Sequence, residues 1–233
     1  MSGVFVPPSL RHFEPRRLVP GNVSALVALE YDLVEAARPG LLVDAGASEA
    51  VSFYAFCQSL HDHDIDGTAY AIDTWDGPPS HPDLTYEAIE KHGRLLYPGI
   101  SYMMRMPPEP AFCHFGEQTV DFLRLDGPRF GDDPTVAEWL ARVRPGGLVV
   151  VGRANEEGAR RAWEVVKARG PSCVFAGGAG LGLCLVEGGT RKELPPLLRL
   201  ALVEGQVAAL NGLYAHAREH HRLLRAAGKM AFG

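Results

Sequence analysis

No apolar run in this chain approaches the roughly 18 residues that would span a bilayer, so the sequence does not read as a membrane protein. Cysteine is scarce. The four present, Cys57, Cys113, Cys173 and Cys184, are widely spaced and form no CxxC pair. That argues against a disulfide framework and for buried free thiols in a reducing compartment. An excess of basic charge is missing too: 23 Lys and Arg face 28 Asp and Glu, for a formal net charge of −5. Bulk electrostatics therefore give no reason to expect a nucleic-acid partner. Residues 1–20 carry prolines and Arg11, Arg16 and Arg17, but no apolar core of signal-peptide length. The expectation is a cytoplasmic protein. No internal repeat, low-complexity segment or linker divides the chain.

What is present is an ordinary globular composition, 46% hydrophobic and 22% charged over 233 residues. A chain of that length buries a core without help from metals or disulfides. Short apolar runs bounded by Gly and Pro recur along it. They are Leu41 to Asp44, Thr68 to Asp73, Ile100 to Met104, Val120 to Asp126, Leu148 to Val151, Ser172 to Ala176 and Leu181 to Val186. Such runs read as strands buried on both faces. Helical patterns lie between most of them, over 23–37, 49–60, 84–97, 134–143 and 156–169. Alternating strands and helices imply parallel strands with right-handed crossovers, and hence an α/β, doubly wound Rossmann-like sheet. The last two strands are separated only by Gly177-Gly178-Ala179-Gly180, which predicts an antiparallel hairpin at the sheet edge. We expect one domain over 1–233, with an N-terminal extension over 1–21 and a continuous helical segment over 193–227. That segment could pack on its own domain or pair two copies into a homodimer.

Ligands of a doubly wound sheet sit at the carboxyl ends of the strands, near the point where strand order reverses. The first strand ends Asp44-Ala45-Gly46-Ala47-Ser48, where Gly46 lets a ligand approach the backbone and Ser48 can cap the next helix. A plain strand-to-helix turn explains the same run. Ser48 and Ala50 stand where a dinucleotide fingerprint wants glycine, which disfavours a nicotinamide enzyme. The second strand ends in Asp73, followed by Thr74 and Trp75. A carboxylate there can accept both ribose hydroxyls, and the indole offers a flat face to a base; a turn Asp beside a packed Trp is the alternative. The fourth strand ends in Asp126, which can orient a substrate, act as a base or help bind a metal. Arg153 follows the fifth strand.

Taken in order, Leu42-Val43-Asp44-Ala45-Gly46-Ala47-Ser48, Ala69 to Trp75, Asp121 to Gly127 and Arg144-Pro145-Gly146-Gly147 resemble the class I S-adenosylmethionine-dependent methyltransferases. The likeness is greatest to small bacterial enzymes that also occur fused to glycosyltransferases, and it runs from about Val23 to Val186. It implies a seven-stranded, mostly parallel sheet with the last strand antiparallel, and S-adenosylmethionine as cofactor with S-adenosylhomocysteine as product. It further implies that Asp44, Ala45, Gly46 and Ser48 line the methionine and ribose end. Asp73 would hold the ribose hydroxyls, Thr74, Trp75, Arg105 and Met106 would border the adenine, and Asp126 would face the acceptor.

The departures from that pattern are Arg124 and Arg129, where the family has histidines around its fourth-strand Asp-Gly, and Gly152-Arg153, where it commonly has His-Asp. An arginine at those positions repels a divalent ion, so no catalytic metal is expected. Catalysis is assigned to Asp126, Arg129 and Arg153, the two arginines holding an anionic small-molecule acceptor. The expected reaction is methyl transfer to oxygen; the alternative is a methyltransferase fold that no longer transfers methyl. His61-Asp62-His63-Asp64 reads as a solvated helix end rather than a metal cluster, and His216, His220 and His221 as a polar helix face. His81, His92 and His114 lie in segments that could cover the crevice and supply a base, or be structural.

Overall fold

A computed structural model describes residues 5–18, 26–76, 85–131, 134–190, 192–217 and 219. Seven strands form one sheet: β1 (Leu41–Ala45), β2 (Thr68–Asp73), β3 (Ser101–Arg105), β4 (Val120–Asp126), β5 (Val143–Gly152), β6 (Ser172–Phe175) and β7 (Leu181–Leu185). Their spatial order is β3-β2-β1-β4-β5-β7-β6. β1 to β5 pair in parallel, and β7 runs antiparallel to both its neighbours, β5 and β6. The expected hairpin is therefore present, with β6 outermost and β7 inserted inside it. The order in which successive strands are added to the sheet reverses between β1 and β4, the switch point at which a doubly wound sheet binds its ligands.

The helices are α1 (Ser9–His12), α2 (Val27–Ala37), α3 (Val51–Asp62), α4 (Tyr86–Leu96), α5 (Val136–Arg142), α6 (Arg160–Lys167) and α7 (Pro196–Leu202), followed by α8 over 207–217. No described helix is long and apolar enough to cross a membrane. Alternate strand residues enter two separate cores. Leu42, Phe122, Leu148 and Val150 pack with α2, α3 and α7. Val43, Leu123, Leu125, Val149 and Val151 pack with Trp139 and Leu140 of α5 and Val166 of α6. With both faces covered, the strands need near-continuous apolar sequence, which is what made them visible.

Two expectations need correction. The segment 193–227 is not one helix: α7 ends at Leu202 and α8 begins after Gly205, whose φ of +65° breaks the spiral. Residues 220–227 lie outside the described residues. The turn at Arg144-Pro145-Gly146-Gly147 is absorbed into β5. Its pairing with β4 steps from Val120–Val143 to Phe122–Leu148, so the intervening residues form a bulge instead of ending the strand.

Candidate active site

The carboxyl ends of β1, β2, β4 and β5 meet at the switch point and bring most of the expected residues together. Asp44 and Ala45 are fully buried at the end of β1. Gly46 follows with φ +87°, and its N–H donates to Ile72 O at 2.8 Å, tying the turn to β2. A Cβ at Gly46 would lie 2.7 Å from Asp126 Cβ, so only glycine lets the β1 turn approach the end of β4 this closely. Ser48 does not cap α3, contrary to expectation. The cap position is Ala50 with no side-chain hydrogen bond, and both residues have positive φ, 48° and 57°. The Ser48 N–H instead donates to Asp73 Oδ2 at 2.9 Å, because the left-handed turn points it at β2.

Asp73 is 8% exposed, and its Oδ1 accepts the Thr74 N–H at 2.7 Å. Trp75 donates from Nε1 to Ser48 O at 2.7 Å and packs against Tyr86, with ring centroids 5.4 Å apart. Arg105 donates from Nε to Thr74 O at 3.1 Å and sits 4.9 Å over the Tyr86 ring. The Met106 N–H donates to Asp73 O at 2.9 Å. Thr74, Trp75, Arg105 and Met106 thus form one wall, running from Asp73 to the α4 helix.

The three residues expected to do catalysis are all engaged with one another or with neighbours. Arg153, left-handed at φ 56°, grips Asp126 with Nε to Oδ1 at 2.8 Å and Nη2 to Oδ2 at 2.6 Å. The hydrogen bonds that Arg153 donates to Asp126 hold the guanidinium above its ordinary pKa. Arg129 pairs with Glu109 at 2.7 Å and lies 3.7 Å from Asp73 Oδ1. Neither arginine is an open anion receptor: each has a carboxylate already in contact.

Beneath this layer lies a buried ion cluster. Arg124 donates to Asp44 Oδ1 at 2.8 Å, and its Nε is 3.4 Å from Glu30 Oε1 on α2. Burial pushes the Glu30 carboxyl up to about 7, with Arg124 opposing; burial raises Asp44 in the same way. Arg124 is held above its usual value by Asp44 and Glu30, although burial works against its charge. Glu30 Oε2, Asp44 Oδ2 and Ser52 Oγ have no hydrogen-bond partner; Ser52 stabilises the Glu30 carboxylate from nearby without hydrogen-bond geometry. Glu30 and Glu109 were not foreseen. Glu30 had a signal, a lone acid inside the apolar stripe of Leu26, Leu29, Leu33 and Val34; Glu109 had none.

The histidines lie elsewhere. His61 and Asp62 end α3, where Asp62 pairs with Arg16 at 3.2 Å, and the His63 ring bonds back to Ser59 O. His92 packs on Tyr54, and burial depresses it to about 4. His81, His220 and His221 lie outside the described residues. Among the described residues, no group of three or more His, Cys, Asp or Glu is placed to hold a metal ion.

With this geometry in hand, similarity to known proteins is informative. A methyltransferase from Geobacter sulfurreducens superposes with a TM-score of 0.56 at 15% identity, over 73% of this chain and 82% of that one. The O-methyltransferase TomG from Streptomyces achromogenes, solved in complex with SAM, gives 0.52 at 18% identity over 73% and 82%. The chain has the class I methyltransferase fold. No protein-family model matches the sequence. An uncharacterized protein of Sinorhizobium fredii, y4gI, is 27% identical over 176 residues, 72% of this chain; the match spans 19% of that relative's length. Within the methyltransferase fold, the crevice at β1, β2 and β4 is where Asp44, Gly46, Asp73 and Asp126 converge.

Proposed function

We propose that the protein is an S-adenosylmethionine-dependent methyltransferase that methylates an oxygen of a small molecule without a catalytic metal. The observation that carries this reading is the convergence of the Gly46 turn, Asp73 and Asp126 at the switch point of a methyltransferase-fold sheet. The hydrogen-bonding capacity of Asp73 supports a nucleoside there. A carboxylate has about four lone-pair sites, and the Ser48 and Thr74 N–H groups use two of those on Asp73, leaving two for ribose hydroxyls. TomG is described in complex with SAM and a Podospora anserina methyltransferase as SAH-bound, which supports the same cofactor here.

When bound, the cofactor supplies a methyl group already activated on a sulfonium. What the chain contributes is alignment and exclusion of water, which supply roughly 7–11 kcal/mol of a barrier when geometry is good. Metal independence is supported by Arg153, whose two hydrogen bonds cover both Asp126 oxygens; a divalent ion there would have to displace a guanidinium. The same ion pair favours one second reading, a methyltransferase fold that binds cofactor without transferring methyl. Bound S-adenosylmethionine that yields no S-adenosylhomocysteine with a broad panel of alcohols, phenols and acids would select it.

The cofactor assignment is tested by calorimetric titration with S-adenosylhomocysteine. Asp73→Ala should weaken binding at least tenfold, since a charged hydrogen bond contributes roughly 1.5–3 kcal/mol. Asp73→Asn, which keeps the side-chain volume, should fall between it and the wild type. Unchanged affinity in both variants would remove Asp73 from the cofactor site.

A further inference from the structure

Arg124, Arg153 and Arg129 stand around the carboxyl ends of the strands, and they are held to different degrees. Arg124 is buried on Asp44 and Glu30. Arg153 is gripped through two hydrogen bonds to Asp126. Arg129, in the short turn after β4, makes one close contact, from Nε to Glu109 Oε1 at 2.7 Å, and its side chain is 32% exposed. From there it reaches toward β2. Its Cδ lies 3.6 Å from where a Gly46 Cβ would stand, and its Nη1 lies 3.7 Å from Asp73 Oδ1. That last separation makes an ion pair but is too long for a hydrogen bond. The Arg129 side chain thus passes the Gly46 turn and ends at the carboxylate to which the ribose is assigned.

We propose that Arg129 is a latch on the cofactor crevice: its guanidinium and the ribose hydroxyls compete for Asp73, and the nucleoside enters as Arg129 swings off. The proposal rests on the methyltransferase reading above. Of the four lone-pair sites on Asp73, the Ser48 N–H takes one on Oδ2 and the Thr74 N–H one on Oδ1. Nη1 approaches Oδ1, so the guanidinium crowds an oxygen that a ribose hydroxyl needs. Glu109, between β3 and β4, holds Arg129 through Nε rather than Nη1. The guanidinium can therefore leave Asp73 and keep a carboxylate partner. An ion pair this exposed contributes little, whereas hydrogen bonds from a hydroxyl to a carboxylate are among the stronger ones, so the nucleoside wins the competition. The wall on the other side of Asp73 is fixed: Trp75 is tied through Nε1 to Ser48 O and packed on Tyr86. Movement falls to Arg129.

The test needs no knowledge of the acceptor. Arg129→Met keeps an unbranched side chain beside Gly46 and removes the guanidinium. Calorimetric titration with S-adenosylhomocysteine should then give an affinity about two- to fivefold above that of the wild type, the ratio that an exposed ion pair supplies. Made in Asp73→Asn, which lacks the charge the two cations and hydroxyls contend for, the same substitution should bring no gain. Equal or weaker binding in Arg129→Met overturns the latch and leaves the cofactor reading standing; weaker binding would make Arg129 a contact of the cofactor. A gain undiminished in Asp73→Asn also overturns it, since the guanidinium would then hinder the ligand without contending for Asp73. Failure of the wild type and of Arg129→Met alike to bind S-adenosylhomocysteine overturns the cofactor reading together with the latch. Binding by Arg129→Met alone would be the latch at its strongest.

Discussion

At the residue scale, one guanidinium faces two carboxylates in the interior: Arg124, Glu30 and Asp44 are each no more than 5% exposed. Two buried negative charges against one positive charge is an expensive arrangement, and Glu30 lightens it by staying protonated up to about pH 7 rather than its ordinary 4.5. The sign of the consequence follows. Between those values the folded chain keeps a proton that the unfolded chain releases, so the Glu30 contribution to stability falls as pH rises from about 4.5 to about 7. Glu30→Gln should therefore stabilise the protein above pH 7, on the order of 1–3 kcal/mol, and much less at pH 5. Urea midpoints at pH 5 and pH 8 measure this; a variant no more stable than the wild type at pH 8 would contradict the buried-charge account. Position made Asp44, Asp73 and Asp126 readable in the sequence, because each ends an apolar run. Glu30 was hidden inside a helix whose apolar stripe was read for packing alone, and its partner Arg124 was noted only as a missing histidine.

At the scale of elements, the loop between β1 and α3 concentrates the backbone strain of the molecule's ligand end. Gly46, Ser48 and Ala50 all have positive φ, and two of them carry a Cβ that disfavours it. That geometry aims the Ser48 N–H at Asp73 and sets the turn against β4. Gly46→Ala should cost about 1–3 kcal/mol, from the φ of +87° and from a methyl 2.7 Å from Asp126 Cβ, and should abolish S-adenosylhomocysteine binding. Wild-type affinity in that variant would mean that the turn yields without disturbing the crevice. All seven strands were legible because a sheet covered on both faces requires unbroken apolar runs, and the crossover helices because they fill the gaps between them. The β5 bulge was not, since Pro-Gly-Gly reads locally as a turn whether or not a neighbouring strand pairs across it. The break at Gly205 was passed over for the opposite reason: Leu202 and Leu210 continue an apolar stripe on either side of it.

At the scale of the whole molecule, a second buried carboxylate joins segments far apart in the chain. Asp32, on α2, accepts the N–H and hydroxyl of Ser9 from α1 and the Tyr214 hydroxyl from α8, at 2.9 Å across 182 positions. Burial pushes Asp32 up to about 7, with these donors opposing the shift. The node fastens α1 and α8 to α2, the helix that also carries Glu30. Nothing in the spacing of Ser9, Asp32 and Tyr214 announces a meeting; it is a product of the tertiary fold. Tyr214→Phe removes one of three donors while keeping the ring in the core, where Tyr214 is 1% exposed. The loss should be about 1–3 kcal/mol at pH 8, where the acceptor is ionised, and smaller at pH 5, where Asp32 is protonated. A urea midpoint that falls at pH 8 with an unchanged m-value would locate the loss in the folded state. Equal losses at pH 5 and pH 8 would mean that the tyrosine hydroxyl contributes packing or a neutral hydrogen bond, and that the charge on Asp32 does not hold α8 to α2.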